Sequence, residues 1–201
     1  MNDSRRRLTV VAALGVALTV AAGSTLPAGA AAEPASAGGT FAVPGGGNTV
    51  VTYDVNQVPV GARVQVQTIE TPNNKTIVTL HAWGLLPDES YGAHAHYRSC
   101  GAIGAAAAAH YQNVVDPATG GDETVASKND DYANPDNEVW LDLATNASGN
   151  GRAQTVVDWT FRARADGSPR SVILHVNATS PGPVPDPGNA GARLACVTVP
   201  F

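Results

Sequence analysis

Two imidazoles two positions apart open the chemical reading of this chain. They lie in Gly92-Ala93-His94-Ala95-His96-Tyr97, a run with the character of a β-strand. Side chains alternate across a strand, so His94 and His96 leave by one face and Ala93, Ala95 and Tyr97 by the other. A same-face imidazole pair is half of a transition-metal site, because neutral imidazole nitrogen suits copper, zinc, iron and nickel. The sequence holds five histidines. His175 falls in Val172-Ile173-Leu174-His175-Val176, where Val172, Leu174 and Val176 are expected to face the core and His175 to face outwards. His110 lies in the long loop that Cys100 begins. His94, His96, His110 and His175 can therefore meet, three from strands and one from a loop. His81 shares a strand face with Thr79 and Trp83, opposite the apolar Val78, Leu80 and Ala82, and reads as a surface residue.

The elements that must position these side chains are β-type. Residues 49–53, 62–69, 76–83, 92–97, 138–143, 153–161, 171–176 and 193–199 have strand composition. Turn signals separate them, among them Asn150-Gly151 and Asp166-Gly167. These eight short strands, with no long helical pattern, imply an all-β antiparallel sandwich or barrel in one domain, residues 49–201. Two connections are long for such a fold, 98–137 and 177–192, and long ordered loops on a β scaffold are where function tends to sit. The alanine run at 105–109 reads as at most a helical turn. Residues 33–48, rich in Ala, Gly, Ser and Pro, read as a flexible linker.

The first 32 residues read as a signal peptide. Arg5-Arg6-Arg7 precedes an apolar run and a small-residue Ala-x-Ala end. Ser4-Arg5-Arg6-Arg7-Leu8 loosely matches a twin-arginine signal, with the general export route as the alternative. A secreted bacterial protein, free of the membrane after cleavage, is the expectation. The formal net charge of −5 argues against nucleic acid or an anionic membrane surface as partner. Only two cysteines occur, Cys100 and Cys196. In an oxidising compartment the economical reading is one disulfide, with two free thiols as soft metal ligands the alternative.

At this point the chain resembles the copper/zinc superoxide dismutases. The His-x-His strand, the cysteine soon after it, His110 and His175 carry part of the likeness. The segment Gly188-Asn189-Ala190-Gly191-Ala192-Arg193-Leu194-Ala195-Cys196 carries most of it. The resemblance runs from about residue 49 to the end. It implies an eight-stranded Greek-key β-barrel, His94, His96, His110 and His175 as copper ligands, and a Cys100–Cys196 disulfide. It also implies Arg193 as the residue beside copper that attracts superoxide.

One departure changes the expected metal count. In zinc-bearing members His110 would bridge two metals, and two further histidines and an aspartate would follow in the same loop. Residues 111–137 contain no histidine. They offer Asp116, Asp122, Glu123, Asp130, Asp131 and Asp136, oxygen ligands better suited to calcium than to zinc, and read chiefly as solvated surface. A copper-only member is expected, with the zinc ligands missing. His110 then needs a different partner for its second nitrogen, and Glu138 and Asp142 are the candidates, Glu138 preferred. The loop after His175 carries Asp186 as its only formal charge, so Arg193 is expected to supply most of the local positive potential. The implied function is copper-dependent dismutation of superoxide to O₂ and H₂O₂. The alternative is a non-enzymatic secreted copper-binding or copper-handling protein on the same fold. The sequence leaves the oligomeric state open.

Overall fold

A computed structural model describes residues 34–180 and 186–201. The signal-peptide reading of residues 1–32 lies outside the described residues. The strands are β1 (Ala35–Thr40), β2 (Val50–Thr52), β3 (Arg63–Glu70), β4 (Thr76–Trp83), β5 (Ser90–His96), β6 (Leu143–Ala144), β7 (Gly151–Val157), β8 (Arg170–His175) and β9 (Arg193–Val199). They form a four-stranded sheet, β1-β3-β4-β7, and a five-stranded sheet, β2-β9-β8-β5-β6. Every strand pairing is antiparallel. The expected all-β class with Greek-key architecture holds, as a sandwich rather than a closed barrel.

Period-two alternation explains the core. Val64 and Val66 on β3 and Val78, Leu80 and Ala82 on β4 face inward and are buried. Ala93 and Ala95 of β5, Val172 and Leu174 of β8, and Ala195 and Val197 of β9 meet them from the other sheet. The outer face of the five-stranded sheet is not left to solvent. A second small cluster of Val51, Ala107, Ile173 and Cys196 sits there. Cys100 is bonded to Cys196 across a sequence separation of 96, as the sequence led one to expect. The disulfide thus lays the segment after β5, with its 3-10 turn Gly104–Ala107, against the sheet. This cover is why all six residues of β8 are buried rather than alternating.

Three expectations need correction. The segment read as linker contains β1, a ninth strand paired with β3 from Ala35↔Thr68 to Thr40↔Arg63. Small residues are what permit it: a Cβ at Gly38 would lie 2.4 Å from the Val64 carbonyl oxygen. Backbone pairing needs no hydrophobic signal, so composition alone could not reveal it. Residues 138–143 form a regular strand only at β6. Before it the chain follows β5 through single contacts, with Ala95 N–H donating to Val139 O (3.1 Å) and Leu141 N–H to Ala93 O (2.7 Å). Val176, expected in the core, is 37% exposed, because β8 ends at His175 and the chain turns away.

Candidate metal centre

The outer face of β5 carries His94 and His96, both 0% exposed. β8 pairs with β5 so that Gly92 faces His175, which puts His175 on the same side. Gly92 is needed there: a Cβ would lie 2.4 Å from Asn177 O and 2.6 Å from the Ala190 Cβ, where the loop after β8 crosses the strand. Along the other edge of β5, Tyr97 N–H donates to Ala109 O (2.9 Å) and Tyr111 N–H to Ala95 O (2.8 Å). These bonds bring His110 opposite His96 in an isolated bridge. The result is the four-histidine cluster read from the sequence. One nitrogen from each ring lies within 4.8 Å of the others, and it is the only such His/Cys/Asp/Glu cluster among the described residues. The acidic side chains of the long loop are not gathered. Asp116 is buried, with Oδ1 accepting from Ala118 N (2.8 Å) and Oδ2 from Ser127 Oγ (2.6 Å), a structural role in the loop.

The hydrogen bonds assign the proton on each ring. His96 Nδ1 donates to Ala108 O (3.0 Å) and His175 Nδ1 to Gly191 O (3.1 Å), since a carbonyl only accepts. His110 Nδ1 faces Glu138 Oε2 at 2.8 Å. His94 uses Nε2 on Thr179 Oγ1 (2.6 Å), and its buried Nδ1 has no hydrogen-bond partner. Each outer nitrogen is therefore committed to an oxygen, and the inner nitrogens of His94, His96 and His175 are left as bare lone pairs. His96 Nε2 and His175 Nε2 stand 3.3 Å apart with no proton to share, an arrangement that a cation between them would relieve. Burial, then the neighbouring imidazoles and Arg193, hold His94 and His96 well below the usual histidine range. Burial brings His175 down to about 3, against the raising effect of its hydrogen bond to Gly191 O. Neutral imidazoles are the metal-binding form. Four nitrogen donors with their second nitrogens fixed fit a transition metal.

Glu138 is where the sequence reading put it. It is 2% exposed, and besides His110 it accepts from Trp140 Nε1 (2.9 Å) and Gln112 Nε2 (3.0 Å). Asp142 is not a partner of His110. Its carboxylate accepts from Ala93 N (3.1 Å) and from Thr179 N (2.6 Å) and Oγ1. Alternation holds, with Val139 and Leu141 in the core, but the segment runs antiparallel to β5, so Glu138 meets the His110 end and Asp142 comes beside Ala93 and the loop after β8.

Arg193 reaches the site through a β-bulge. The register runs Leu174↔Ala195 and then His175↔Arg193, so Leu194 is skipped and Arg193 comes opposite His175. Its guanidinium donates to Gly104 O (2.8 Å) and Ala108 O (2.6 Å). A cleft of 210 Å³ opens above His110 and His175, with Arg193, Lys128 and Asp186 on its walls. Lys128 pairs with Asp186, joining the two long loops across this mouth. His81 stacks on Trp83 (5.6 Å, 18°) and receives Arg152 Nε at 3.1 Å, away from the cluster. Sequence reasoning missed Thr179, Gln112, Trp140 and Lys128. Only Trp140 carried a usable signal, lying two residues from Glu138 and so on one face of an extended segment.

No protein-family model matches the sequence, and no curated protein matches it. Solved structures do. A Cu/Zn superoxide dismutase from Brucella abortus superposes with a TM-score of 0.51 at 22% identity, covering 84% of this chain and 100% of that one. The clock protein EA4 is similar over 83% of this chain and 92% of its own, with a TM-score of 0.47 and 18% identity. The chain thus has the β-sandwich fold of that dismutase, with a buried four-imidazole cluster on its outer face.

Proposed function

We propose that this chain is an exported, copper-only superoxide dismutase. The observation that carries the reading is the set of four imidazoles whose outer nitrogens are all occupied by oxygen partners and whose inner nitrogens converge. All-nitrogen coordination by neutral imidazole suits copper. Zinc does not fit beside it: Glu138 takes the His110 nitrogen that a bridging ligand would need free, and no histidine follows in that loop. Copper bound here would supply the one-electron couple that oxidises one superoxide to O₂ and, with two protons, reduces a second to H₂O₂.

The chain's own residues do the rest. Glu138 holds the His110 ring so that its other nitrogen points inward. The Ala108 and Gly191 carbonyls do the same for His96 and His175. Arg193, fixed by two carbonyls on the cleft wall, presents a permanent positive charge to a small anion. Access through the cleft to His110 and His175 supports catalysis over closed copper storage. The disulfide supports export, since such bonds persist in oxidising compartments.

The test is to load the mature domain with copper and follow superoxide decay by pulse radiolysis beside elemental analysis. One equivalent of copper with accelerated decay is expected. Copper without acceleration would reassign the chain to copper handling, and an equivalent of zinc would sink the copper-only claim. Glu138→Gln presents an amide N–H where three donors already converge. Copper affinity and dismutation rate are expected to fall about 10–100-fold, the usual cost of losing an outer-shell partner. Retention of both would remove Glu138 from the site.

A further inference from the structure

We infer that the Thr179 hydroxyl, locked by Asp142, is the positioning residue that selects the tautomer of His94 and turns its Nδ1 toward the metal. The inference rests on the reading that the four histidines hold a metal, and the direction of each hydrogen bond carries it. Asp142 Oδ1 accepts from Ala93 N (3.1 Å) and from Thr179 Oγ1, and Oδ2 accepts from Thr179 N (2.6 Å). A threonine hydroxyl has one hydrogen, and here it points to the carboxylate. Thr179 Oγ1 can then only accept from His94, so His94 Nε2 carries the ring proton across their 2.6 Å contact. Nδ1 is left bare, which agrees with its being buried and without a hydrogen-bond partner.

His94 differs from its three companions in this respect. His96 and His175 lean on backbone carbonyls and His110 on Glu138 directly, each through Nδ1. His94 alone offers Nδ1 to the centre, and alone is held through an intervening hydroxyl. Asp142 is exposed, while Thr179 is 9% exposed and His94 0%, so the relay runs from the surface into the site. It also fastens the start of the loop after β8 to β5, because Asp142 takes one hydrogen from Ala93 and two from Thr179. Placement of that loop and orientation of the ligand are one arrangement.

The experiment uses the mature domain with ¹⁵N-labelled histidine. Long-range ¹H–¹⁵N correlation of the metal-free protein reads the His94 tautomer, and Cu(II) affinity is measured separately by chelator competition. Wild type is expected to show Nε2–H at His94. Thr179→Val keeps the shape and removes the hydroxyl. It should shift His94 toward Nδ1–H and lower Cu(II) affinity about 10–100-fold. Thr179→Ser should restore both, which a merely structural role of the methyl group would not. An Nδ1–H tautomer in wild type would overturn the inference, as would a valine variant with unchanged tautomer and affinity. If wild type shows the tautomer response but binds no copper, the metal reading falls while the Thr179–His94 arrangement stands.

Discussion

Copper affinity and superoxide decay should both collapse in His96→Ala, more completely than in any variant of a supporting residue. His96 is fully buried, and its ring is fixed at one nitrogen by Ala108 O with the other aimed at His175 Nε2. On the proposed reading alanine removes a ligand outright, so the loss in Cu(II) affinity is expected to exceed the about 10–100-fold that losing an outer partner costs. Superoxide decay should return to the rate of the metal-free control. A second readout separates this from misfolding. Copper that binds only the native state raises the thermal midpoint of wild type, by mass action. That rise should vanish in the variant, while far-UV circular dichroism and the disulfide persist. A variant that keeps stoichiometric, tight copper and the full midpoint rise would show that the four-histidine cluster is not the metal site.

Loss of the Cys100–Cys196 bond should cost more stability than any other single change. On the chain-entropy account a cross-link enclosing about a hundred residues contributes about 4–5 kcal/mol, and removing a native disulfide typically costs about 2–5 kcal/mol. For a domain of this size that lowers the thermal midpoint by on the order of 10 °C. The site should suffer with it. The disulfide pins the segment whose Gly104 and Ala108 carbonyls hold Arg193, and Ala108 O also receives His96 Nδ1. Cys196→Ser, paired with Cys100→Ser to leave no free thiol, is therefore expected to weaken Cu(II) binding as well as stability. Calorimetry and chelator competition on the double variant check both effects. An unchanged midpoint would contradict the first, and unchanged affinity the link between the disulfide segment and the four-histidine cluster.

The sequence and the structure agree where the physics is local. Alternation at 93–96 sent the two imidazoles to one face and the two alanines to the core, and a strand geometry leaves no other outcome. The two cysteines had only each other. Strand composition located β3, β4, β8 and β9 to within a residue or two. Where an element is held chiefly by backbone pairing, as β1 is by β3 with Ala37 against the core, composition read it as linker. Where a segment follows a neighbour through scattered single bonds, as 138–142 follows β5, alternation named the right residues but not their partners.

Glu138 and Asp142 mark that boundary most clearly. Both were legible as carboxylates near the imidazoles, yet only the tertiary structure gave Glu138 to His110 and passed Asp142 through Thr179 to His94. Likewise, the resemblance alone put Arg193 near the site, and a bulge in β9 decides that it stands opposite His175. Residue types, their period-two faces and the single disulfide follow from the chain itself, because they depend on covalent geometry and on counts. The choice of oxygen for each ring nitrogen depends on how two long loops pack over one sheet. That packing joins residues dozens of positions apart, and no local pattern encodes it.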